Sequence, residues 1–142
     1  MTVIDVNILL YAYDSDSSFH AQARTWVERT FSSEHPIGLP WQTILAFLCI
    51  ATNARLQGRR FTMREAVQIV QTWMDQPNVR VLGAGDGHWL MLSQTLIAGQ
   101  ASGPLVTDAA LAALTIEHGG VLHTTDRDFA RFPGLRWTNP LA

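Results

Sequence analysis

The chain contains no lysine: all ten of its basic residues are arginine, set against twelve acidic ones. Taken alone this is a compositional bias, but it leaves no ammonium group to neutralise clustered carboxylates. There is one cysteine, Cys49, so no internal disulfide can form. Within ILAFLCIA it reads as a small buried hydrophobe with nothing nearby to activate a thiolate. Charge is scarce, at 15% of residues, and the formal net charge of -2 excludes a uniformly basic nucleic-acid coat, though not a local basic patch. The longest apolar run, Ile44 to Ala51, is eight residues, far short of the roughly 20 that span a bilayer. The N-terminus lacks the basic start and long apolar core of a signal peptide, so the expected location is the cytoplasm and no membrane partner is expected. The five histidines, at 20, 35, 88, 118 and 123, show no paired metal-ligand spacing. No repeat, linker or low-complexity tract interrupts the chain.

What is present is a hydrophobic fraction of 47% over 142 residues, which suits one domain over residues 1–142 with a sizeable core. Residues 2–5 read as a short strand, followed at once by a helix with Asn7 near its start and ILLYAY as its body. Phe19, Ala23, Trp26, Val27, Thr30 and Phe31 have helical spacing within residues 18–31. Pro36 to Pro40 suits a second strand, and residues 41–56 a helix that is apolar on most sides, hence buried or at a subunit interface. Thr62-Met63-Arg64-Glu65 has the form of a capping box, and the helix after it carries Ala66, Val67, Val70, Trp73 and Met74 on one face. VRVL at 79–82 is a strand, GAGDGH a loop, WLMLSQTLIAG a helix stopped near Gly99, and 105–118 a helix ended by Gly119-Gly120. VLHTT, DRDFARF and LRW read as strand, short helix and last strand. The alternation predicts an α/β fold with a mainly parallel central sheet and helices on both faces. In such sheets ligands sit beyond the carboxyl ends of the strands.

That rule gathers carboxylates. Asp5 ends the first strand, where an apolar run leads directly into a residue type almost never buried without a partner. Asp126 and Asp128 follow VLHTT, and Asp108 lies near the start of the helix in GPLVTDAALAAL. Two like charges about 4 Å apart repel by roughly 4 kcal/mol at an effective dielectric of 20, and a helix N-terminus returns only about 0.3–1 kcal/mol. Asp126, Asp128 and Asp108 each have an ordinary alternative as helix caps. If they converge with Asp5, either some are protonated or a cation is present. Oxygen-only donors select Mg2+ or Mn2+ over zinc.

IDVNILLYAYD, LVTDAALAALTIEHG and HTTDRDFARFPGLRWTNPL, in this order and spacing, resemble the PIN-domain ribonucleases, and more narrowly the VapC toxins of type II toxin–antitoxin pairs. LPWQTILAFLCIATNARL fits one VapC subgroup, so the resemblance covers nearly the whole chain. It implies a PIN-like fold and a Mg2+- or Mn2+-dependent endoribonuclease that hydrolyses RNA to 5′-phosphate and 3′-hydroxyl ends. It also implies a homodimer and a cognate VapB-type antitoxin that blocks the site. By position, Asp5, Asp108 and Asp126 match the metal ligands, and Asp128 a supporting acidic residue. Asn7 and Thr107 are candidates for fixing carboxylate rotamers. The sequence departs from the family pattern at the helix after the second strand, where many PIN domains place a glutamate. No acidic residue lies between Glu34 and Glu65, and Phe47 takes that register. The departure keeps open an alternative, a non-catalytic or weakly active PIN module that binds RNA or an antitoxin.

Arg55, Arg59, Arg60 and Arg64 in NARLQGRRFTMR, with Arg127, Arg131 and Arg136, are candidates for contacting an RNA backbone. GAGDGH does not follow the first strand and has His88 in its sixth position, so it reads as a turn and not a dinucleotide loop. Trp26, Trp41, Trp73 and Trp89 fall on helical faces and read as core or interface, not as platforms for bases. Aspartates at strand ends also build phosphoaspartyl receivers and dehalogenase-like phosphatases, but those use a lysine to hold the phosphoryl group, and this chain has none.

Overall fold

The computed structural model describes residues 1–54 and 61–142. Strand β1 (Thr2–Ile4) leads into α1 (Val6–Tyr13) and α2 (His20–Phe31). Then come β2 (Ile37–Pro40), α3 (Trp41–Ala51), α4 (Met63–Met74) and β3 (Val79–Leu82). Helices α5 (His88–Ala98) and α6 (Leu105–Glu117) precede β4 (Val121–His123), a 3-10 helix (Arg127–Arg131) and β5 (Trp137–Thr138). The strands form one five-stranded sheet in the order β3-β2-β1-β4-β5, and every pairing is parallel. All five carboxyl ends therefore share one rim, with β1 at the centre.

The pleat divides the core. Val3 and Ile4 are adjacent and fully buried, yet they feed opposite faces, as a period of two requires. Ile4, Ile37 and Leu39 pack with apolar residues of α1, α2, α3 and α4, including Leu9, Val27, Phe47 and Trp73. Val3, Leu82 and Leu122 pack on the other face with Ala109 and Ala112 of α6, and with Phe129 and Phe132. Gly38 and Gly120 allow close approach here: a Cβ at Gly120 would meet Val3 Cγ2 at 2.7 Å and the Met1 carbonyl at 3.2 Å.

The capping box of α4 forms as expected: Thr62 Oγ1 accepts from the Glu65 N–H at 3.1 Å, and Glu65 Oε1 accepts from the Thr62 N–H at 2.9 Å. Helix α6 ends in a Schellman motif, with Gly119 at φ 66° and the Gly120 N–H bonded to the Thr115 carbonyl at 3.0 Å. Helix α5 stops at Ala98 with Gly99 as its C-cap, as expected. Gln100, not Gly99, takes the left-handed conformation, at φ 53°. Gly99 is needed for another reason: a Cβ there would collide with the Phe132 ring.

Several expectations change. The helix expected over 41–56 stops at Ala51, with Thr52 as its cap, while Arg55 and Leu56 lie outside the described residues. Cys49 is exposed, not buried. Ile44, Phe47 and Ala51 take the core face of α3, which leaves Trp41, Leu45 and Cys49, four residues apart, on the outward stripe. In the same way Ala66, Val70 and Trp73 bury one side of α4, and Val67 faces outward. No helix among the described residues is long and apolar enough to cross a membrane.

Candidate functional site

Asp5 sits immediately beyond β1 on the central rim and is only 8% exposed. The chain cannot continue as strand there, because Asp5 is itself the N-cap of α1. Its N–H donates to the His123 carbonyl at 3.0 Å, which ties it to the end of β4. Its Oδ1 accepts from the Val6 N–H at 2.8 Å, and its Oδ2 accepts from the Thr124 hydroxyl at 2.7 Å.

Thr124 is fully buried, and its Oγ1 also accepts from the Asp126 N–H at 3.0 Å. Asp126 Oδ1 in turn accepts from the Asp128 N–H at 2.8 Å and starts the 3-10 helix. One series of hydrogen bonds thus runs from Asp128 through Asp126 and Thr124 to Asp5. Sequence reasoning missed Thr124. The available signal was the strand period, since Thr124 lies two positions beyond the buried Leu122. The part expected of Asn7 and Thr107 falls to Thr124. Asn7 makes no side-chain hydrogen bond to a carboxylate of the site, and the Thr107 hydroxyl donates to the Pro104 carbonyl within the first turn of α6.

Replacing Thr124 by valine keeps the shape and removes both hydrogen bonds. We expect a loss of about 1–3 kcal/mol in denaturant unfolding, because Asp5 Oδ2 and the Asp126 N–H stay buried without that partner. Thr124→Ser, which keeps the hydroxyl, should recover most of it.

Asp108 is in the first turn of α6. It faces Asp5 across a cavity of about 270 Å³, whose other walls include Gln42, Thr43 and Ala46 of α3, and Thr107. Thr43 Oγ1 donates to the Ile4 carbonyl at 3.0 Å, fixing α3 to the end of β1. Gln42 Nε2 donates to the Thr107 carbonyl at 3.3 Å, bridging α3 to α6. Phe47 does not face this cavity. It is fully buried, with its ring edge-on to Trp73 at 4.7 Å and to Tyr13 at 5.8 Å. The wall of α3 toward the carboxylates is therefore neutral, and Ala46, not Phe47, occupies it. A larger cavity of about 430 Å³, lined by Ala12, Val27, Phe61 and Ile69, lies at the far end of α1 from Asp5 and holds no carboxylate cluster.

Burial pushes the Asp5 carboxyl above its ordinary range, against the hydrogen bonds from Thr124 and Val6, and Asp126 pushes it further. Asp108 is also raised, first by burial and then by repulsion from Asp126, Asp5 and Asp128; Arg131 opposes this. Asp108 thus lies within electrostatic reach of the other three predicted carboxylates. No three His, Cys, Asp or Glu side chains among the described residues stand close enough to hold a metal ion as they are. The donor chemistry fits a hard divalent cation, which would relieve this mutual repulsion. The geometry is a repelling group and not a closed coordination shell.

The arginine expectations divide. Arg55, Arg59 and Arg60 lie outside the described residues. Arg64 and Arg127 are exposed. Arg131 acts on Asp108. Arg136 is at the wrong end of the sheet: it precedes β5 and donates to the Gly119 carbonyl at 3.0 Å, just before β4. His123 is half-buried, stacks on Trp26 and is held below its ordinary pKa first by burial. GAGDGH is a turn fastened by Glu117, whose Oε1 accepts from the Gly85 N–H at 2.9 Å and whose Oε2 pairs with His88 Nδ1 at 2.8 Å.

A family model described as the PIN domain matches residues 2–135. Ribonuclease VapC33 of Mycobacterium tuberculosis is 38% identical over 141 residues, covering 99% of both chains. VapC ribonuclease Mb2897 of Mycobacterium bovis is 35% identical over 141 residues, covering 99% of this chain and 96% of that one. Among solved structures, VapBC2 of Rickettsia felis bound to a promoter DNA fragment superposes with a TM-score of 0.71 at 12% identity, covering 97% of each chain. VapC20 of Mycobacterium tuberculosis, a toxin that cleaves the sarcin–ricin loop, does so with a TM-score of 0.67 at 16% identity, covering 96% of this chain and 99% of that one. The chain belongs to the PIN-domain family, and within it to the VapC ribonucleases.

Proposed function

We propose that this protein is a Mg2+- or Mn2+-dependent endoribonuclease acting as the toxin of a type II toxin–antitoxin pair. The observation that carries the reading is the rim group of Asp5, Asp108, Asp126 and Asp128, two of which are forced above their ordinary pKa by burial and by one another. Asp5, Asp108 and Asp126 would hold the cation. Once bound, it supplies charge neutralisation, a polarised phosphate oxygen and a water of lowered pKa. The chain's own groups do the rest. Thr124 holds the Asp5 carboxylate in one orientation. Asp126 or Asp128 accepts a proton from the attacking water at a carboxylate oxygen. Arg131 meets the RNA phosphate beside Asp108. The water oxygen bonds to phosphorus as the P–O3′ bond breaks, and the departing 3′-oxygen takes a proton from solvent, leaving a 5′-phosphate and a 3′-hydroxyl.

The outward stripe of Trp41, Leu45 and Cys49, with Trp89 and Ile97 exposed on α5, suits coverage by a second copy of the chain, and we take the protein to be a homodimer. A VapB-type antitoxin is the second partner, and the cytoplasm is the compartment in which both meet RNA. A single domain over residues 1–142 accounts for the whole arrangement.

A second reading is a non-catalytic or weakly active module that binds RNA or the antitoxin. The neutral wall of Gln42, Thr43 and Ala46 favours it, because nothing there adds a ligand. Incubating purified protein with cellular RNA and Mn2+, with and without chelator, separates the two. Chelator-sensitive cleavage, with 5′-phosphate ends, is the expected result; intact RNA at saturating Mn2+ would leave the binder.

A further inference from the structure

Trp26 packs partly buried against the core, as its helical position suggests, and its ring has a second neighbour. One side of its ring packs on His123, centroids 5.4 Å apart and 30° between planes, and the residue also lines an open cavity of about 380 Å³. The other walls are Ala21, Pro140, and Gln22, Thr25 and Arg29, which share a face of α2. Arg29 has no ion-pair partner among the described residues; the charge pair on this helix is Arg24 with Glu28. An indole, a proline face, an amide and an unpaired guanidinium make a set suited to a nucleotide: flat surfaces for the base, a polar group for its edge, a cation for its phosphate; the Thr25 hydroxyl already donates to the Ala21 carbonyl at 2.9 Å and can only accept.

The position of this cavity matters as much as its chemistry. Pro140 lies two residues beyond β5, and His123 ends β4, so both belong to the rim that carries the carboxylates. The His123 carbonyl is the group that accepts the Asp5 N–H. The indole therefore rests on the residue that anchors the central carboxylate.

We propose that the Trp26 cavity is a nucleotide seat of the substrate site, which takes one unstacked base of single-stranded RNA on the indole and an adjacent phosphate on Arg29. The proposal rests on the ribonuclease reading above and adds where the strand is held. The seat selects single-stranded over duplex RNA, because a paired base cannot reach the ring.

The test measures binding of a fluorescein-labelled, mixed-sequence 12-nucleotide single-stranded RNA by anisotropy, with Mn2+ present. The protein carries Asp108→Asn so that the probe survives. Trp26→Leu should weaken binding roughly tenfold, the scale of losing one stacked base, while Trp26→Phe, which keeps a ring, stays within about twofold of the unsubstituted seat. Arg29→Gln should lower affinity and reduce the salt slope by about one. Arg29 and Gln22 are exposed, so Arg29→Gln and Gln22→Ala remain informative if Trp26→Leu fails to fold. RNA binding by the unsubstituted seat that is indifferent to Trp26→Leu, Arg29→Gln and Gln22→Ala overturns the seat and leaves the ribonuclease reading standing. Substitutions that spare RNA binding but weaken capture of the co-expressed antitoxin overturn it in favour of a protein-binding pocket. Failure of the unsubstituted seat to bind this RNA also overturns the seat, and the ribonuclease reading is then decided by the Mn2+-dependent cleavage test alone.

Discussion

Asp108→Asn should stop RNA cleavage and at the same time make the metal-free protein more stable. Asp108 accepts no hydrogen bond among the described residues, so the amide costs no partner. Its carboxylate is disfavoured by burial and then by Asp126, Asp5 and Asp128. A carboxyl raised in the folded state binds its proton more tightly there than in the unfolded chain. The resulting penalty is absent at pH below the ordinary value of 3.8, grows as pH rises through the raised pKa, and is complete at neutral pH. Removing the charge lifts that penalty. We expect the melting temperature at pH 7 without metal to rise by a few degrees in Asp108→Asn. Lowering the pH toward 4 should narrow the gap between the two proteins. Saturating Mn2+ should reverse the order, because a cation held at 100 times its dissociation constant adds about 2.7 kcal/mol to the wild type alone. Cleavage should fall by about two orders of magnitude or more. A variant that melts lower than wild type without metal, at every pH, would contradict the electrostatic account.

The same opposition of forces explains what was legible in the sequence. Asp5 could be read because an apolar strand has no reason to run into a carboxylate unless the residue is used there. The parallel order followed from alternation, and the parallel order alone brought Asp5, Asp108 and Asp126 to one rim. The helix caps were equally readable, since Thr62 with Glu65 and Gly119 with Gly120 act within one turn of chain. What failed depended on which side of an element meets a neighbour. Cys49 sits in an apolar helix, and no local pattern says which apolar face the sheet will cover. Arg136 is close in sequence to Arg131, but the strand start between Gly119 and Val121 draws it to the opposite rim. Thr124 looked like one threonine among several. Its importance comes from Asp5, 119 residues away, which no local reading can supply.

Phe47 gives the largest stability effect and decides how the neutral α3 wall should be understood. Sequence register offers Phe47→Glu as the change that restores the missing carboxylate. The structure predicts that this change unfolds the protein. Phe47 is fully buried between Trp73 and Tyr13, and the partners around it are apolar. Losing the ring costs about 3–5 kcal/mol, and an unpaired buried carboxylate costs several more, against a total stability of about 5–15 kcal/mol for a domain. Ala46→Glu is the informative alternative. Ala46 is half-buried and lines the cavity between Asp5 and Asp108, so a carboxylate there meets the existing group and solvent. That variant should fold, melt lower than wild type without metal because a further like charge joins the cluster, and bind Mn2+ roughly tenfold more tightly, about 1.4 kcal/mol. Circular dichroism and titration calorimetry read both results. A folded Phe47→Glu protein with raised Mn2+ affinity would mean that α3 turns its other side to the site. An Ala46→Glu protein with unchanged affinity would mean that the α3 wall serves the RNA and not the ion.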